Sequence, residues 1–156
     1  MINMKTTHHS EYLPLQSVFI KPAKDAFISD IHLSEQWKAL NYLSRPDFNN
    51  ALKEYNKFQE YFSNNNIETQ DFPFDKNVQI DSIYCRDASI ATDFGMIICN
   101  MGKGGRINEP KSHLEIYKQS DIPILGIIEA PGTLEGGDVA WLDEKTLAVG
   151  HTYRTN

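Results

Sequence analysis

The chain has 156 residues, of which 40% are hydrophobic and 23% charged, and it carries a net charge of −6. That profile excludes a disordered chain, and the scatter of Lys and Arg among more numerous acids speaks against a phosphate-tracking, nucleic-acid-binding surface. Apolar runs stay well short of the ~18–20 residues needed to cross a bilayer, and the N-terminal MINMKTTHHSEYLP lacks the apolar segment of a signal peptide. No membrane partner is expected. Cys85 and Cys99 form neither a disulfide framework nor a zinc spacing, which fits a reducing, cytoplasmic setting.

In chain order, Leu15–Ile20 reads as a short buried strand ended by Lys21-Pro22. From Ser34 the spacing of Trp37, Leu40 and Leu43 predicts a helix that Arg45-Pro46 breaks. Asp47 then occupies an N-cap position. Phe48, Ala51, Leu52, Tyr55, Phe58 and Phe62 recur at three- and four-residue steps, predicting an amphipathic helix that Asn64-Asn65-Asn66 ends. Ile67–Phe72 is a weak strand candidate. Ser82–Cys85 and Met96–Cys99 read as strands, with Asp93-Phe94-Gly95 as a hairpin turn between them. A glycine-rich stretch, Gly102 to Gly105, precedes a short helix over Pro110–Gln119. Ile122–Ile128 is a further strand, and Val139–Leu142 pairs with Thr146–Val149 across Asp143-Glu144-Lys145. The order defines an α/β fold in a single domain, without repeats or an evident internal boundary.

Three carboxylates stand where a purely structural sequence rarely places them. Asp81 and Asp87 flank a strand-like run in VQIDSIYCRDASI, and a straight strand would put both on one face, together with Cys85. Facing carboxylates repel unless a cation lies between them, and a planar guanidinium suits such a pair. The same residues also serve as turn formers or strand caps, and the pattern alone leaves both readings open. Glu135 is bracketed by Pro131-Gly132 and Gly136-Gly137, which constrain the backbone around one carboxylate; a turn with a solvated Glu fits equally well. Arg154, in Tyr-Arg-Thr-Asn, is suited to clamping a carboxylate. Cys99 reads as core, and His8, His9, His32 and His113 read as surface residues without a motif.

The segments DSIYCRDASI, GGRINEP, LEGGDVAWLDEKTLAVG and YRTN, in this order, resemble the guanidine-modifying (pentein) superfamily, in particular its dimethylarginine dimethylaminohydrolase and arginine deiminase branch. The resemblance covers about residues 78–156 with specific motifs and the region from residue 15 to 77 in general pattern. It implies a partial α/β propeller, about the first half of a ring of five ββαβ modules. It also implies a hydrolase of arginine or a methylated arginine. A cysteine thiolate attacks the guanidinium carbon, a histidine shuttles protons, a citrulline-like product leaves, and no metal or organic cofactor takes part. By the same resemblance Glu135 matches the carboxylate beside the catalytic histidine. Asp87 and Asp81 match guanidinium- and substrate-binding aspartates, and Arg106 and Arg154 match arginines that hold the amino acid's carboxylate.

The family histidine and cysteine fall beyond Asn156, and His151 and Cys85 match neither, so the isolated chain is expected to be inactive. The end inside a motif block favours truncation over association with a second copy or a separate C-terminal chain, or partial folding. Amidino transfer to an amine, or arginine binding without turnover, would use the same residues.

Overall fold

The computed structural model describes His9, Glu11 and residues 13–156. The reading of His8 as a surface residue lies outside these. The chain divides into two compact units, Pro14–Cys85 and Arg86–Asn156, the latter joined by His9, Glu11 and Leu13. Among the described residues no helix is long and apolar enough to cross a membrane.

In the first unit, β1 (Ser17–Ile20) pairs in parallel with β2 (Glu68–Asp71). Parallel strands need a long crossover. Here α1 (Ala23–Phe27), α2 (Asp30–Gln36) and α3 (Phe48–Asn64) supply it. The Asp47 carboxylate caps α3 by accepting from the Asn50 amide at 2.8 Å, and Asn66, with φ 56, lies just beyond its end. The helix expected from Ser34 onward is displaced. Ser29 caps α2 through the His32 amide, and the chain leaves helix after Gln36, with Asn41 in the left-handed region at φ 67. Leu33 and Ile80 are fully buried among Ala23, Ala26, Phe27 and Leu40, each such side chain contributing about 1.5–3 kcal/mol of burial.

The strand expected over Ser82–Cys85 does not form. The chain makes two 3-10 turns instead, Ile80–Ile83 and Cys85–Ala88. Ile80 donates its amide to Gln36 Oε1 at 3.0 Å, and Tyr84 donates to the Asp81 carbonyl, so these backbone groups are not free for a ladder. The shared strand face of Asp81, Cys85 and Asp87 disappears with the strand.

In the second unit, β3 (Ser89–Thr92) and β4 (Gly95–Ile98) form the hairpin around Asp93-Phe94, and β5 (Ile124–Ile127) joins β4 in parallel. Gly95 has φ +131, and a Cβ there would lie 2.4 Å from the Pro123 carbonyl oxygen, so glycine is required where β4 meets the start of β5. Between these strands runs α4 (Glu109–Gln119), with Pro110 in its first turn. β6 (Val139–Trp141) and β7 (Leu147–Val149) form the expected hairpin. Ala88, Ile90, Cys99, Met101 and Val139 make the core.

Candidate active site

Three loops of the second unit meet around Glu135. The segment before it is fixed by an isolated bridge, the Leu134 amide donating to the Asn100 carbonyl at 2.9 Å. Glu135 itself is extended, and a 3-10 turn, Gly136–Asp138, follows at once. The two glycines have separate reasons. A Cβ on Gly136 would sit 2.2 Å from the Arg86 carbonyl oxygen; one on Gly137 would sit 2.5 Å from Asp87 Oδ1. The turn therefore lies flat on the segment that carries Asp87.

Glu135 is 2% exposed, and a buried carboxylate is tolerable only when its charge is met. The Lys103 amide donates to Oε1 at 3.0 Å, and Arg154 Nη1 donates to Oε2 at 2.9 Å. Gly102 lets the 153–155 segment close in, since a Cβ there would collide with the Arg154 backbone at 2.3 Å. That segment is held in turn by Asp138. Its Oδ2 accepts from Thr155 Oγ1 at 2.6 Å and from Thr152 Oγ1 at 3.0 Å. The amides of Arg154 and Thr155 donate to Thr152 Oγ1, and the Glu135 amide donates to Thr155 Oγ1. Arg154 thus clamps a carboxylate, that of Glu135. Its Nε is buried without an acceptor.

Asp87 is held by Arg106, whose Nη1 donates to Asp87 Oδ2 at 2.5 Å. Arg106 is 3% exposed and forks onto Glu109, with Nε on Oε1 at 2.8 Å and Nη2 on Oε2 at 2.7 Å. Burial works against the guanidinium charge, but Glu109 and then Asp87 outweigh it and hold Arg106 firmly protonated. Arg106 is a strut between two acids. The Cys99 thiol is buried in the core of the same unit. Burial first, then the charges of Asp87 and Glu135, push its pKa up to about 12, so it stays a thiol at neutral pH.

Asp81 belongs to the other unit, where it is 2% exposed in the first turn of Ile80–Ile83. Beside it, burial and then the Asp81 charge raise the Tyr42 phenol above its ordinary range. Cys85 is half-buried, with its thiol 3.6 Å from the Phe19 carbonyl. His151 is exposed. His113, expected at the surface, is 3% exposed and faces Ser89 Oγ from Nδ1 at 3.3 Å, because it lies with Pro110 and Tyr117 on the buried face of α4. Among the described residues no group of three or more His, Cys, Asp or Glu is arranged to hold a metal ion.

Sequence reasoning missed Asp138, Glu109 and the Thr152/Thr155 pair. The signals were present: Glu109 stands three residues after Arg106, where ion pairs form in helical turns, and Asp138 closes the Glu-Gly-Gly-Asp run.

No protein-family model matches the sequence. The chain is 27% identical over 116 residues to the N(G),N(G)-dimethylarginine dimethylaminohydrolase of Pseudomonas aeruginosa, covering 74% of this chain and 45% of that protein. Its fold matches solved dimethylarginine dimethylaminohydrolases. An adduct with S-methyl-L-thiocitrulline aligns at TM-score 0.70 and 23% identity over 92% of this chain and 53% of that one. A mutant of the Pseudomonas aeruginosa enzyme complexed with citrulline gives TM-score 0.70 at 22% identity, with the same coverage. A cyanobacterial arginine dihydrolase aligns at TM-score 0.68 and 11% identity, over 89% of this chain and 21% of that one. The chain thus shares the fold of these arginine-modifying enzymes, in keeping with the resemblance of its motifs to the guanidine-modifying (pentein) superfamily. Within it, the likeness runs to the dimethylarginine dimethylaminohydrolase and arginine deiminase type, and the chain spans about half the length of the dimethylarginine dimethylaminohydrolases it matches.

Proposed function

We propose that this chain supplies the guanidinium-binding side of a hydrolase acting on arginine or a methylated arginine, with the nucleophilic cysteine and the proton-shuttling histidine outside these 156 residues. The carrying observation is that Glu135, a buried carboxylate, already grips a guanidinium, that of Arg154, at 2.9 Å. Solved relatives that hold S-methyl-L-thiocitrulline and citrulline support the ligand class. In this reading Glu135 and Asp87 take the substrate's charged head, and Arg154 takes the α-carboxylate. Arg106 acts with them by holding Asp87 in place. Fixed carboxylates localise the charge of a delocalised, poorly electrophilic guanidinium. The thiolate then adds to the guanidinium carbon, ammonia or a methylamine leaves with a proton, and water releases citrulline while restoring the thiolate. On this reading the chain is part of a five-module ββαβ propeller enzyme working in the cytoplasm.

Citrulline formation from arginine and from dimethylarginine, measured for this chain and for a C-terminally extended version, tests the reading. Turnover by the extended version alone is expected, and inactivity of both would overturn it. Transfer of the amidino group to an amine in place of water uses the same residues and is separated by adding an acceptor amine to that assay. A second reading, arginine binding without turnover, is favoured by the chain's own thiols: Cys99 is buried with its proton held, and Cys85 is turned to the Phe19 carbonyl. It predicts calorimetric binding that Glu135→Gln abolishes, with no turnover in either version.

A further inference from the structure

We infer that the Glu11–Arg86 ion pair stands in for one residue of a missing strand on the open edge of β6, and that Glu11 thereby positions the segment carrying Asp87. The inference rests on the proposed function only for what Asp87 does. Among the described residues β6 pairs with β7 alone, and their ladder fixes which backbone groups turn outward. The Leu142 amide donates to the Thr146 carbonyl and the Gly150 amide to the Asp138 carbonyl, so residues 138, 140 and 142 bond toward β7. The Val139 carbonyl and the Trp141 amide point the other way. Both are met. Arg86 Nη2 donates to the Val139 carbonyl at 2.9 Å, and Glu11 Oε2 accepts from the Trp141 amide at 2.9 Å. The same Arg86 nitrogen donates to Glu11 Oε1 at 2.6 Å.

A parallel neighbour strand would present the same pattern. In β4–β5 the Met96 amide donates to the carbonyl of Pro123, which precedes its partner Ile124. The Ile98 carbonyl accepts from the amide of Ile128, which follows its partner Ile127. Around Ala140, Arg86 takes the part of that amide and Glu11 the part of that carbonyl. The two side chains are 59% and 25% exposed, so their attraction alone adds little. What they supply is the cover that an unpaired strand edge needs. The effect reaches the site because the Arg86 carbonyl lies against Gly136 and the Asp87 carboxylate against Gly137. Arg86 thus holds the Gly136–Asp138 turn with its backbone and β6 with its side chain, and Glu11 fixes that side chain.

Amide hydrogen exchange at Trp141 and the Asp87 carboxyl resonance, both in the labelled full chain, test this together with calorimetric titration by arginine. In Glu11→Ala the Trp141 amide should exchange at least about tenfold faster. The Asp87 resonance should shift, and arginine should bind about fivefold more weakly. Arg86→Lys should stay close to the wild type, because both bonds leave one nitrogen and an ammonium carries three donors. The double variant Glu11→Arg/Arg86→Glu restores an ion pair but sets a donor against the Trp141 amide and an acceptor against the Val139 carbonyl. Its Trp141 exchange should therefore stay fast. Slow exchange in the swapped variant, or unchanged exchange in Glu11→Ala, overturns the edge role. An unmoved Asp87 resonance in Glu11→Ala overturns the positioning role, as does an unchanged arginine affinity where the wild type binds. Arginine that fails to bind the wild type overturns the proposed function, and the exchange and resonance measurements then decide the inference by themselves.

Discussion

Asp138 Oδ2 lies 2.6 Å from Thr155 Oγ1, and this short contact ties the turn after Glu135 to the segment that carries Arg154. The same oxygen accepts from Thr152, whose own hydroxyl oxygen receives the amides of Arg154 and Thr155. One carboxylate thus sets the position of the guanidinium that meets Glu135. In Asp138→Ala the hydroxyls lose their charged acceptor, a loss of about 1.5–3 kcal/mol per hydrogen bond locally. Amide hydrogen exchange at Arg154 and Thr155 should speed by about tenfold or more, and Thr152→Ser, which keeps the hydroxyl, should behave as wild type. Unchanged exchange in Asp138→Ala would show that the turn holds itself.

The paired glycines after Glu135 should respond differently to a single added methyl. Gly136→Ala meets the Arg86 backbone carbonyl, which cannot move cheaply, and should cost about 1–3 kcal/mol in a denaturant titration. Gly137→Ala meets only the end of the Asp87 side chain. It should leave the unfolding midpoint nearly intact while turning Asp87 away and weakening guanidine binding. Equal stability losses in the two variants would contradict this division.

Arg106 and Glu109 are both almost fully buried, so removing one partner strands the other charge. Glu109→Ala should destabilise the chain by about 3–5 kcal/mol, measured by urea unfolding. Arg106→Lys keeps the charge but cannot fork onto Glu109 while reaching Asp87, and should recover only part of the loss. A cost below about 1 kcal/mol in Glu109→Ala, the range of exposed pairs, would mean that water reaches the pair.

The Cys99 thiol gives a pH dependence of definite sign. Its folded pKa is raised from 9.0 to about 12, so the folded chain holds a proton that the unfolded chain releases in that window. The stabilisation is fully present below 9.0 and is lost as pH rises toward 12. Unfolding midpoints measured across this range should fall with pH. Tyr42 and Tyr55, also raised by burial, add to the fall. Cys99→Ala should lower stability throughout yet flatten the slope, and an unflattened slope would place the thiol in contact with solvent.

Much of the fold was legible because its causes are local. Asp47 followed by apolar residues at three- and four-residue steps yields α3 whatever surrounds it, since the cap bond spans three residues. The β6–β7 hairpin was equally readable, because the Asp143 carboxylate organises its turn through the amides of Lys145 and Thr146. The run from Ile80 to Ala88 was not. Its apolar alternation suits a strand, but Gln36, 44 residues away, takes the Ile80 amide, and the chain coils into 3-10 turns. His113 was misplaced for a related reason: its spacing from Pro110 and Tyr117 marks a helix face, and only the packed fold says that this face is inward.

Residue type and spacing singled out Glu135, Arg154 and the glycines around them, because they record chemistry and steric need. It takes the folded chain to show that this acid and this arginine grip each other, that Arg106 is consumed by Glu109 and Asp87, and that Asp138 anchors the Arg154 segment. Which charges neutralise one another depends on distance and on exclusion of water. Both arise only when loops that are far apart in the chain close over a common interior.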